Sequence, residues 1–112
     1  MKSISTHVLD IARGRPASGV PVTLERKENA GFMRLRGGVT DNDGRVKDLV
    51  AEGKLTAGTY RITFDTGAYF TAQGTEGFYP EASVVFSIRD AEAHYHVPLL
   101  LSPYGFSTYR GS

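Results

Sequence analysis

The run V-P-L-L-L from Val97 to Leu101 carries no charge and no polar side chain, and it constrains the fold more than any other stretch. In extended backbone alternate side chains share a face. His94, His96, Pro98 and Leu100 therefore point one way, and Tyr95, Val97, Leu99 and Leu101 the other. A strand with one wet face alternates apolar with polar residues. This one is apolar on both faces beyond its histidines, so cover is expected on both sides. One cover is the domain core, and the second is expected to be another subunit. The chain then reverses at Ser102-Pro103-Tyr104-Gly105, which suits a hairpin, and continues through Phe106 to Arg110 before Gly111-Ser112.

Elsewhere the same period-two pattern predicts a strand over Ile4 to Ile11, with His7 on it, punctuated by Arg13-Gly14-Arg15-Pro16. Val20, Val22 and Leu24 define a second strand, and Pro21 argues that it begins near a sheet edge. Lys27 to Gly31 reads as a turn and Phe32 to Val39 as a third strand. Thr40-Asp41-Asn42-Asp43-Gly44 is the strongest turn signal, with Arg45 directly after it. Tyr60, Ile62 and Phe64 alternate with Arg61, Thr63 and Asp65 in another strand. Thr66 to Gly74, behind possible N-caps at Asp65 and Thr66, allows about two helical turns. Phe78 to Glu81 connects to a strand carrying Val84, Phe86 and Ile88. Seven or eight short strands with one short helix, in a chain of 112 residues, point to an all-β, two-sheet sandwich forming a single domain over residues 1–112.

A formal net charge of +1, with scattered basic residues, gives no electrostatic basis for binding nucleic acid or an anionic membrane. The chain has no cysteine, which removes disulfides, thiolate nucleophiles and cysteine-bearing zinc sites and leans towards a cytoplasmic setting. Polar residues interrupt any apolar run after Met1-Lys2, so no signal peptide or membrane span is expected.

Histidine is the natural acid-base group near neutral pH. His7 and His96 are the candidates on that ground, although a histidine on a strand is more often a hydrogen-bonded structural residue. His94 and His96, spaced i and i+2, would hold zinc if His7 supplied a third ligand, but a structural or fortuitous spacing is the simpler reading. Asp41, Asn42 and Asp43 cluster oxygen atoms without the spacing or flanking helices of a calcium loop, and read as a turn. By residue type alone Arg45 is a solvated surface charge.

Five segments resemble the 5-hydroxyisourate hydrolases of the transthyretin-like family: S-T-H-V-L-D (Ser5 to Asp10), G-R-P-A-S-G-V-P-V (Gly14 to Val22), T-D-N-D-G-R (Thr40 to Arg45), F-Y-P-E (Phe78 to Glu81) and H-V-P-L-L-L-S-P-Y-G-F-S-T-Y-R-G-S (His96 to Ser112). The similarity runs essentially end to end. The terminal Y-R-G-S is its most specific part, because it separates the hydrolases from hormone-carrying transthyretins. The resemblance implies a transthyretin-like sandwich, a homotetramer with sites at a subunit interface, and metal-free hydrolysis of 5-hydroxyisourate in urate breakdown, with no cofactor expected. It places His7 and His96 at the family's two catalytic histidines and Arg45 at the catalytic arginine of D-G-R. Tyr109, Arg110, Gly111 and Ser112 fall at the substrate-binding terminal motif, with Ser112 as an orienting catalytic group, not a nucleophile. A planar, permanently charged guanidinium suits such a carbonyl, since it donates two parallel hydrogen bonds to a developing oxyanion. Phe106 stands where many family members carry tyrosine. The competing expectation is a carrier of small aromatic ligands in the same groove, as transthyretin is.

Overall fold

The computed structural model describes residues 3–50 and 55–111. Its strands are β1 (Ser3–Asp10), β2 (Arg15–Pro16), β3 (Pro21–Glu28), β4 (Gly31–Val39), β5 (Arg45–Val46), β6 (Gly58–Phe64), β7 (Ala82–Ile88), β8 (His94–Ser102) and β9 (Gly105–Thr108). One helix, α1 (Thr66–Ala72), lies between β6 and β7.

Two sheets face each other across the core. One runs β2-β1-β8-β9, with β5 also paired to β1, and the other runs β4-β3-β6-β7. The alternation of each strand decides which side lies inside. β1 buries Ile4, Thr6, Val8 and Asp10 and leaves Ser5, His7 and Leu9 half-buried on its outer side. β8 buries Tyr95, Val97, Leu99 and Leu101, which meet Leu24, Ile62 and Phe64 of the facing sheet in one apolar cluster. Leu99 is fully buried, so Leu99→Ala is expected to cost about 2–5 kcal/mol. Pro98 is buried and Leu100 half-buried on the outer face, so the apolar character of that side is already partly covered within one chain.

β1 and β8 are parallel along the whole of β1, from Ser3 opposite His94 to Asp10 opposite Leu101. Every other strand pairing is antiparallel. The helix is capped by Asp65, whose Oδ1 accepts from the Ala68 N–H at 3.0 Å, and buries Thr66, Tyr69 and Phe70. Tyr69 donates its hydroxyl to Asp10 Oδ2 at 2.7 Å, joining the helix to the end of β1.

Pro21 does not mark a sheet edge. β3 lies between β4 and β6, and proline is accommodated because it is the first residue of the strand, where its missing N–H leaves no gap inside the ladder. The described strands number nine, beyond the seven or eight expected, because β2 and β5 are two-residue pieces held only by β1. No helix among the described residues is long and apolar enough to cross a membrane.

Candidate active site

One long edge of β1 is filled by β8, and the other is divided. β5 pairs with its first half and β2 with its second. The turn Asp41–Gly44 enters between them. Val8 N donates to Gly44 O at 2.7 Å, and Val8 O accepts from Ala17 N at 2.9 Å. Gly44 sits at φ +77°, and a Cβ there would lie 2.3 Å from the Val8 carbonyl oxygen, so only glycine fits both the left-handed conformation and the approach. Asp41 Oδ1 accepts from the backbone N–H groups of Asp43 (2.9 Å) and Arg45 (3.0 Å). The bond from Arg45 is the largest of the effects that hold the Asp41 carboxyl below its ordinary range. This Asx turn delivers Arg45 to the position opposite His7.

Residues paired across a ladder share a face, so the outer side of this sheet can be read in rows. Arg45, His7 and Pro98 form one row, and Ser5 and His96 the next. Gly111 extends the second row. It is bridged to His96, with Gly111 N donating to His96 O at 2.8 Å, in the register that β9 keeps with β8. Its lack of a side chain matters, since a Cβ there would fall 2.6 Å from His96 Cδ2 and 3.3 Å from Pro98 Cγ.

His96 is half-buried, with its Nδ1 2.8 Å from Ser5 Oγ. Burial pushes the imidazole below its ordinary value. The positive charge of Arg45 pushes the same way, as do His7 and His94 to a lesser degree, against a smaller opposing effect of Ser5. The result is a neutral imidazole near pH 7. His94, one row further along, places Nε2 3.2 Å from the same Ser5 Oγ and Nδ1 2.6 Å from Ser3 Oγ. The two imidazole rings lie 6.3 Å apart and nearly parallel.

Of the residues singled out in the sequence, His7, Arg45, His96 and Gly111 occupy neighbouring positions on this face. Tyr109 falls opposite Pro98 in the same register and is 57% exposed. Arg110 falls opposite Val97, on the core side of the sheet. Its guanidinium lies over the Tyr95 ring at 4.6 Å, beside a 210 Å³ groove lined by Val84, Phe86 and Val97. Ser112 lies outside the described residues. Among the described residues no group of three His, Cys, Asp or Glu side chains is arranged to share a metal ion. The sequence alone gives Ser3 and Ser5 no chemical role, and His94 only that of a candidate zinc ligand. The S-x-S and H-x-H spacings were visible, but only the parallel register brings them together.

A two-sheet sandwich with imidazoles, hydroxyls and a guanidinium on the outer face of one sheet defines a transthyretin-like domain bearing acid-base groups. The model of the HIUase/Transthyretin family matches residues 4–111, and the chain belongs to that family. It is 50% identical over 109 residues to a 5-hydroxyisourate hydrolase of Salmonella typhimurium, spanning 97% of this chain and 80% of the relative. The solved structure of Klebsiella pneumoniae 5-hydroxyisourate hydrolase superposes with a TM-score of 0.85 at 41% identity, covering 98% of this chain and 99% of that one. Transthyretin from Sparus aurata superposes with a TM-score of 0.93 at 35% identity, covering 99% and 97%.

Proposed function

We propose that this protein hydrolyses 5-hydroxyisourate to 2-oxo-4-hydroxy-4-carboxy-5-ureidoimidazoline in urate breakdown. The observation that carries the reading is the pairing, in adjacent rows of one sheet face, of Arg45 with His7 and of Ser5 with His96. That pairing occurs in a chain half identical to proteins named for this reaction. His96 is the base of the pair, because burial and the neighbouring cations keep it neutral. It takes a proton from water, and the water oxygen bonds to the ring carbonyl carbon of the N1–C6 amide. Arg45 donates to the developing oxyanion, and His7 orients the substrate beside it. Collapse of the tetrahedral species breaks the C6–N1 bond, and N1 receives the proton that His96 had taken. Tyr109 and Gly111 flank the substrate's side of the site, with Ser112 as the orienting group, and Arg110, on the other face of the sheet, holds the tail in place over the ring of Tyr95.

The unit acts as a single domain in the cytoplasm, consistent with a chain that has no cysteine. It assembles as a homotetramer with the histidine face at a subunit interface, an arrangement supported by the apolar Pro98 and Leu100 on that face. A fully active monomer, seen by light scattering at the concentration of the turnover assay, would contradict the assembly. A carrier role is not favoured, since ligand carriage asks for no neutral imidazole beside a guanidinium.

The direct test is the decay of 5-hydroxyisourate, freshly made from urate, with wild-type protein and with His96→Asn. Wild type should accelerate decay and the variant should lose about 10²–10⁴-fold of that acceleration. Equal decay in the two rejects the assignment.

A further inference from the structure

We infer that His94, acting through Ser5, is a positioning residue for His96, fixing its tautomer and taking over the proton it removes from water. The inference rests on the hydrolytic reading above. Three short contacts form one line: Ser3 Oγ to His94 Nδ1 (2.6 Å), His94 Nε2 to Ser5 Oγ (3.2 Å), and Ser5 Oγ to His96 Nδ1 (2.8 Å). Each contact needs one hydrogen, and a neutral imidazole has one N–H to give. If His96 is to present a bare Nε2 to water, its hydrogen sits on Nδ1 and is donated to Ser5 Oγ. The Ser5 hydroxyl then donates to His94 Nε2, and His94 Nδ1–H donates to Ser3 Oγ. This assignment gives every contact a donor and an acceptor, and it is the one that places the Ser5 hydroxyl hydrogen on His94 Nε2, where a proton can be passed on.

The same line accounts for where the proton goes. A proton gained at His96 Nε2 makes an imidazolium beside Arg45 and His7, which oppose it. As the His96 Nδ1 proton passes to Ser5 Oγ, the hydroxyl's own proton passes to His94 Nε2. His96 and Ser5 end neutral, and His94 becomes the imidazolium, with both N–H groups on serine oxygens. No proton is gained or lost in the shift. The charge moves from the row of Ser5 to the row of Ser3, away from Arg45 in the row of His7. The reverse shift accompanies delivery of the Nε2 proton to the leaving nitrogen. Among the described residues, the charged and titratable groups facing His96 are Arg45 from β5, His7 from β1 and His94 from its own strand.

The test uses the full chain with His94→Phe, Ser5→Ala and Ser5→Thr, comparing kcat, KM, the pH profile of kcat/KM and thermal melting. His94→Phe and Ser5→Ala should lower kcat about 10- to 100-fold, the usual effect of removing an imidazole's orienting partner, with KM within about threefold. The acid limb should move to lower pH in Ser5→Ala, because Ser5 is the neighbour that favours the His96 imidazolium and links it to His94. Ser5→Thr should restore most of the loss. A plot of kcat against the deuterium content of the solvent should be curved for wild type and straight for His94→Phe. Where a variant folds poorly, ¹⁵N shifts of the His96 ring in wild type and Ser5→Ala report the tautomer without turnover. They should show Nδ1–H in wild type and a mixture in Ser5→Ala. Unchanged kcat in His94→Phe, an unchanged acid limb in Ser5→Ala, failure of Ser5→Thr to rescue, or identical ring shifts would overturn the relay while leaving the hydrolase reading intact. Absence of wild-type turnover would remove both.

Discussion

Gly111→Ala adds one methyl group at the point where the C-terminal tail crosses His96. The new Cβ would lie 2.6 Å from His96 Cδ2 and 3.3 Å from both His96 Cγ and Pro98 Cγ. Carbon atoms rest at about 3.5 Å or more, so about 0.9 Å of clearance must come from somewhere. β8 cannot retreat, because β1 holds one of its edges along eight residues and β9 holds the other. Either the imidazole turns, pulling Nδ1 away from Ser5 Oγ, or the tail lifts and gives up the bond from Gly111 N to His96 O. A displacement of about 1 Å at a reacting group costs about 100-fold in rate, or roughly 2.7 kcal/mol of transition-state stabilisation. Global stability should barely move. Losing the single tail bond costs about 0.5–1.5 kcal/mol, and the stiffer unfolded chain returns about 0.4–1 kcal/mol. The assay is the decay rate of 5-hydroxyisourate beside a urea unfolding curve on the same preparation. Activity within about threefold of wild type, or a loss accompanied by global unfolding, would refute the reasoning.

Arg45→Lys keeps the charge and loses the fork, so kcat should drop about 10²–10³-fold while the acid limb of kcat/KM stays in place. Arg45→Gln also removes a cation that holds His96 down, so its acid limb should move to higher pH; a pH–rate profile of both variants separates charge from geometry. Gly44→Ala forces a left-handed alanine against Val8 O and should cost at least about 2 kcal/mol by urea unfolding, with a larger loss of activity because Arg45 is displaced. Tyr69→Phe removes the bond to the buried Asp10 carboxylate and should cost about 1.5–3 kcal/mol. Burial, then the Asp10 bond, pushes Tyr69 up to about 12. The unfolded phenol ionises first, at about 10, so wild type should lose stability as pH rises from about 10 to about 12. Unfolding curves across that range should lack this slope in Tyr69→Phe.

Local pattern carried most of the architecture. Tyr60, Ile62 and Phe64 alternate in the sequence and lie buried in the structure, and Asp65 caps the helix it precedes. β2 and β5 escaped notice because two residues have no periodicity; each exists only through its pairing with β1. Pro21 misled because proline's missing donor is tolerated either at an edge or at the start of an interior strand, and the residue type does not distinguish them. The candidate site divided the same way. Asp41 to Arg45 reads as a turn ending in a cation, but its partner His7 is set by register with β1. Tyr109, Arg110 and Gly111 are consecutive, yet the pleat sends Arg110 to the core side of the sheet, where Tyr95 receives it. The serines of β1 acquire a role only from histidines 91 residues away in sequence.

That separation also governs how the protein can be made. A nascent chain leaving the ribosome presents β1 well before β8, so its longest edge stays unmatched until β8 emerges about 90 residues later, roughly five to eighteen seconds at ordinary rates of synthesis. The facing sheet of β3, β4, β6 and β7 is complete before then and can collapse on its own. The proton-handling surface is therefore the last part to assemble, and a chain arrested before His94 should protect the amides of β3 and β6 from hydrogen exchange while leaving open those β1 amides that face β8.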